Sequence, residues 1–306
     1  MTSPPAPGTP YHRLARTARH RWWLPIVATL AFVGGYLFLL VLTACFAAAL
    51  TEFVEIEVGP LAETALLLAS LAVLIPFALL AAWLVQRRPA GTLHSVVGRL
   101  RWRWLGRCLL VAFGCTLLLI GVGMLIPAGD EDLEWVSLPT FLVSAAVLLA
   151  LVPLQAAGEE YAFRGWLLQA VGAYVRAPWL PIAVQAVVFA ALHGWGTAWG
   201  FGALVVTGAA TGWLTVRTGG LEAGIALHVA NNVVSFLLVA ALGDLDSDET
   251  LADAPWQLAV LDAVSVCLFT AVILWLARRR PLDTVVPLPA PPDPHDQGVP
   301  HVALTT

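Results

Sequence analysis

Apolar runs of about 20 residues recur along this 306-residue chain, and their length decides what it can fold into. A hydrocarbon core about 30 Å thick takes about 20 apolar residues to cross, whereas a buried helix of a soluble domain needs fewer. Composition agrees: 59% of the residues are hydrophobic and 12% charged, with a mean hydropathy of +0.82. Soluble domains carry about 25% charged residues, so the chain reads as an all-α integral membrane protein before any motif is considered. Eight transmembrane helices are expected, at Trp23–Leu50, Thr64–Val85, Trp104–Ile126, Leu138–Ala157, Trp179–Leu192, Thr197–Val216, Leu221–Leu242 and Pro255–Leu276. The first run is too long for a signal-peptide core and has no small-residue cleavage site before a polar region, so it is expected to stay as an anchor.

Charge sets the orientation. All 16 basic residues are arginines, at 13–21, 87–107, 164, 176, 217 and 278–280, and eight spans place every group on one side. Glu52, Glu55, Glu57 and Glu63, the run Asp130–Glu134, and the stretch Asp244–Asp253 fall on the other. Basic loops stay cytoplasmic, so both termini are expected there. Trp22, Trp23, Trp102, Trp104, Trp135, Trp179 and Trp256 sit near proposed span ends, where interfacial aromatics belong. The arginines at 99, 101, 103 and 107, interleaved with tryptophans, suit an anchor on anionic lipid better than a nucleic-acid contact. Cys45, Cys108, Cys115 and Cys267 lie in apolar segments without metal spacing and read as packing residues. The expected organisation is a disordered tail over 1–22, three helices over 23–137, a catalytic core over 138–242, an acidic loop and last helix over 243–280, and a disordered proline-rich tail over 281–306. His295 and His301 fall in that second tail, where they read as incidental.

Against this background a few polar residues stand out. Glu159 and Glu160 are the only carboxylates between Glu134 and Glu222, and of seven histidines only His193 and His228 lie in apolar segments. Ionisable groups are expensive in a bilayer, so the default reading has them facing one another around a functional site. On a helix Glu160 can pair with Arg164 four residues on, while Glu159 turns about 100° away toward the bundle. Taken alone, the pair also suits a helix end neutralised by Arg164, and His193 alone suits a packed helix terminus. His228 and Asn232, four apart on one helical face, are harder to read as filler because polar groups in lipid need partners.

Such a set can do hydrolytic work. A carboxylate with a histidine can take a proton from water, and a histidine with an amide can donate to a tetrahedral oxyanion. Alternatively, Glu159, His193 and His228 could hold zinc or another divalent metal with one position open. No His-Glu-x-x-His or Gly-x-Ser-x-Gly motif is present. Helix arithmetic leaves one mismatch. His193 lies about 20 Å and His228 about 10 Å from the cytoplasmic ends of their helices, with Glu159 near the end of its own. Tilt, or a motif helix continuing past Gly158, would have to bring them together.

The motifs Glu159-Glu160-x-x-x-Arg164, Phe189-x-x-x-His193 and His228-x-x-x-Asn232, in that order on successive apolar helices, resemble the CPBP family. That family contains the type II CAAX prenyl endopeptidases and the bacteriocin-processing (Abi) proteins. Phe163-Arg164-Gly165 and Arg217-Thr218-Gly219 add smaller echoes, and the similarity covers about residues 138–242. The resemblance implies an intramembrane endopeptidase of a multi-pass bacterial membrane protein, acting on membrane-associated proteins or peptides, with or without a metal. It implies that Glu159 and His193 activate water, that His228 and Asn232 stabilise the oxyanion, and that Glu160, Arg164 and Phe189 support the site. Two other classes use the same residues differently. A non-catalytic immunity or scaffold protein would keep its phenotype without Glu159. An ion or proton transporter would favour inverted repeats, which the chain does not display.

Overall fold

The computed structural model describes residues 2–54, 59–123, 135–247 and 250–288. Glu55, Glu57, the Asp130–Glu134 cluster, Asp248, Glu249 and the tail holding His295 and His301 lie outside them. Among the described residues the chain is helical, without strands, and its only β-type pairings are two isolated bridges, Pro10–Val285 and Ser95–Gly220.

Among the described residues, seven helical segments are long and apolar enough to cross a membrane. They are Leu24–Phe46, within α1 (Leu24–Val54); Pro60–Val85, comprising α2 (Pro60–Ala72), α3 (Leu74–Leu80) and a π turn; α4 (Trp102–Gly123); and Leu138–Gly172. The remaining three are α8 (Ala198–Thr218), α9 (Glu222–Leu242) and α10 (Trp256–Arg278). An eighth, α7 (Trp179–Leu192), is apolar but shorter. Their outer faces are apolar and open, as lipid-facing helices require: Leu30, Phe38 and Leu110 are each about 70% exposed or more. The chain is therefore a multi-pass integral membrane protein.

Local sequence accounts for the helix ends that matter. Ser137 caps α5 (Leu138–Glu160) by accepting from the Thr140 amide, and Thr197 caps α8 through the Gly200 amide. Gly219 and Gly243 close α8 and α9 in the left-handed region, at φ of 74° and 75°. The segment expected to end at Ala157 does not stop there. It runs on through a π turn over Tyr161–Leu167 into α6 (Leu168–Gly172), making one 35-residue rod. No proline or glycine cap follows Glu160 to end it, and a π turn absorbs the register change within the helix.

The rod forms the centre of the molecule, packed against α2 on one side and α9 on the other. Gly158 permits the first contact, since a methyl there would collide with the Leu71 carbonyl oxygen. Gly208 likewise lets α8 lie on α7, a Cβ there falling 2.8 Å from the Ala186 Cα.

Residues 2–22 depart from the expected disordered tail. Tyr11 is fully buried and Leu14 nearly so, and the Tyr11 hydroxyl donates to the Leu93 carbonyl. Gly8 and Val286 complete a backbone pairing of this segment with residues 285–286 (Gly8 N to Val286 O, 2.8 Å; Val286 N to Thr9 O, 2.9 Å). The proline-rich composition concealed three apolar side chains, Tyr11, Leu14 and Ala15, that are buried where this segment docks on the arginine-rich end of the bundle. There Arg101 grips the buried Glu222 by two parallel bonds (Nε to Oε1 2.8 Å, Nη2 to Oε2 2.7 Å), tying the start of α9 to the start of α4.

Candidate functional site

The central rod carries Glu159, Glu160 and Arg164, α7 delivers Phe189 and His193, and α9 delivers His228 and Asn232. All seven meet in one buried cluster. The Glu159 Oε2 atom lies 3.5 Å from His228 Nε2 and 4.0 Å from His193 Nε2. Glu160 Oε1 lies 3.0 Å from both His228 Nδ1 and Arg164 Nη1. Glu160 and Arg164 are fully buried and Glu159 is 7% exposed; the His193 side chain, at 26%, is the most open member.

The mismatch in depth resolves along the rod. Glu159 stands 13 residues before Gly172, about 20 Å along a helix, which matches the depth of His193 from Trp179. His228 joins them because α9 begins below the surface, at Glu222, which is completely buried against Arg101. Short α7 ends at the site itself: His193 is its C-cap, followed by Gly194 at φ 100°. Beyond it, the loop before α10 closes over this end, with Thr250 Oγ1 donating to the His193 carbonyl and Thr197 Oγ1 to the Ala254 carbonyl.

Hydrogen bonds fix the state of both imidazoles. His193 Nδ1 lies 2.9 Å from the Phe189 carbonyl, which can only accept, so Nδ1 carries the proton and a neutral His193 presents a bare Nε2. His228 Nδ1 faces the Glu160 carboxylate, so a neutral His228 also presents a bare Nε2. Both lone pairs point toward Glu159 Oε2, an atom that no hydrogen-bond donor reaches. Three acceptors converging on one spot is an arrangement for a water or a shared proton. The fixed charges are Glu159, Glu160 and Arg164, one more negative than positive.

Arg164 does more than pair with Glu160. Its Nε donates to Thr211 Oγ1 at 2.9 Å and its guanidinium lies 4.2 Å over the Phe189 ring. Phe189 in turn packs against both imidazoles, at centroid distances of 4.5 Å to His193 and 5.8 Å to His228.

Glu160 pairs with Arg164 and also faces His228. It touches His228 directly, because the rod is enclosed on both faces and the Gly224 backbone leaves room for its Oε2. The metal set left open above is not formed: among the described residues, no group of three or more His, Cys, Asp or Glu side chains could hold a metal ion. Glu159 Oε1 is already committed to Gln155.

Gln155 and Thr211 are contacts that the motif reading did not single out. Gln155 Nε2 donates to Glu159 Oε1 at 2.8 Å, and Asn232 Nδ2 donates to Gln155 Oε1 at 3.0 Å. The signal was available, since a glutamine in an apolar run four residues before Glu159 repeats the i, i+4 spacing that singled out His228 and Asn232. Tyr161, beside Glu160, hydrogen-bonds His94 from the loop before α4.

Comparison with known proteins finds a partial family match and one distant relative. The chain is 26% identical over 220 residues to the uncharacterized protein YyaK of Bacillus subtilis (strain 168), covering 67% of this chain and 72% of the relative. No solved structure matches it. The model of the type II CAAX prenyl endopeptidase Rce1-like family matches residues 139–234, the stretch from the start of the central rod to just past Asn232. That match is consistent with the CPBP family that the motifs resemble.

Proposed function

We propose that this protein is an intramembrane endopeptidase that hydrolyses a peptide bond of membrane-associated proteins or peptides, with its arginine-rich end and both termini in the cytoplasm. The observation that carries the reading is the convergence of His193 Nε2 and His228 Nε2 on the donor-free Glu159 Oε2. A water held there loses its proton to Glu159 or His193 as its oxygen attacks the substrate carbonyl carbon. The oxyanion then takes hydrogen bonds from the Asn232 amide and from His228. Because the His228 Nδ1 proton is committed to Glu160, Nε2 can donate only when the ring is an imidazolium, and Glu160 is placed to stabilise that cation. Arg164 pairs with Glu160 and is itself held by Thr211 and the Phe189 ring. Collapse of the tetrahedral intermediate breaks the C–N bond, and the proton taken from water passes to the leaving amine.

The test is cleavage of a quenched-fluorescent farnesylated CAAX peptide by protein purified into lipid nanodiscs. Wild type should release the tripeptide, and Glu159→Gln should lower kcat by about 10²–10⁴-fold while remaining folded. Equal activity of the two would overturn the proposal. Chelation with EDTA should leave the wild-type rate unchanged; a loss restored by zinc would reinstate the metal set.

A further inference from the structure

We infer that Gln155 is a positioning residue that sets the geometry of both Glu159 and Asn232, an inference that rests on the peptidase reading. The direction of its two hydrogen bonds is dictated chemically. An ionised Glu159 can only accept, so the group facing Oε1 at 2.8 Å is the Gln155 Nε2 amide. The Gln155 carbonyl oxygen therefore faces Asn232, which must turn its own Nδ2 toward it, at 3.0 Å. One carboxylate thus fixes the orientation of two amides.

Both consequences fall on the reacting atoms. Holding Oε1 leaves Oε2 as the free oxygen, aimed at the two imidazoles. Fixing the Asn232 amide commits one of its two N–H groups to Gln155 and leaves the second as a ready donor. Without Gln155 the amide could rotate and present its oxygen, which would repel an oxyanion. The alternative, a buried glutamine satisfied by whatever lies nearby, accounts for less. Gln155 is 4% exposed, and its side-chain bonds go to two members of the cluster, on two different helices. A methionine would fill the same space without the cost of burying an amide.

The experiment compares wild type, Gln155→Met, Asn232→Leu, the double variant and Glu159→Gln in nanodiscs, with the farnesylated CAAX peptide as probe. Two readouts are taken: the kcat and KM split, and the infrared carboxylate stretch of Glu159, identified by its loss in Glu159→Gln. Gln155→Met should lower kcat on the order of 10–100-fold with KM little changed. The double variant should be about as slow as the slower single variant, because both act on one chain of bonds. The Glu159 band should move in Gln155→Met and, in the same direction, in Asn232→Leu, which never touches Glu159. Wild-type kcat together with an unmoved band in Gln155→Met overturns the inference. If Gln155→Met does not fold, an unmoved band in Asn232→Leu overturns it by itself. Should Glu159→Gln match wild type in cleavage, the peptidase reading fails, while the infrared band still decides whether Gln155 orients Glu159.

Discussion

Glu160 and Arg164 are wholly enclosed, and their pairing makes each intolerable without the other. Removing one charge of a buried pair costs about 3–5 kcal/mol, so Glu160→Gln should lower the thermal unfolding midpoint in detergent as well as abolish cleavage. Gly224→Ala separates the two effects. Its new methyl would strike Glu160 Oε2, the far end of a side chain that His228 and Arg164 hold in place. Cleavage should fall at least about tenfold while the unfolding midpoint moves little; an active Gly224→Ala would show that Glu160 has freedom the site does not require it to lack. Ionisable residues in apolar runs were legible in the sequence because lipid gives them nowhere else to go. The neutral Gln155 was legible only through its spacing, four residues before Glu159 in an apolar run, because an amide carries no charge to mark it. The contact of Glu160 with His228 was not legible, because periodicity tells which residues share a face but not how many faces a central helix has covered.

Helices were legible as elements, with boundaries shifted by a few residues, because run length in lipid leaves little choice of structure. The rod was the exception. Its continuation from Glu160 through Tyr161–Leu167 to Gly172 depends on a π turn, which hydropathy does not encode. That continuation is what sets Glu159 at the depth of His193. Close helix packing supplies a further prediction. Gly158→Ala would drive a methyl into the Leu71 backbone oxygen, which cannot swing aside as a side chain could. It should force α2 from α5 and cost about 1–3 kcal/mol, read as a lower unfolding midpoint alongside reduced activity.

At the scale of the whole molecule, the multi-pass architecture followed from composition, whereas the packed segment 2–22 did not, its few apolar residues being hidden among prolines. That segment and the loop before α4 carry three histidines outside the spans, His12, His20 and His94, of which His12 and His94 are the more enclosed. Burial lowers the pKa of each below 6.5, partly offset by the Arg176 carbonyl at His12 and by Glu222 at His94. Both stay neutral in the fold while their unfolded counterparts gain protons, so stability should fall as pH drops below about 6.5 toward the folded values. A melting series from pH 7.5 to 5 should show that slope, and His94→Gln should flatten it. The central claim, that Glu159 makes this protein a peptidase, is tested most directly in its own membranes. Peptidomics of cells carrying wild type or Glu159→Gln at matched expression should find new termini in membrane-associated proteins with the wild type alone. Coincident profiles, with a cellular phenotype kept by the variant, would contradict the account and mark the protein as a scaffold.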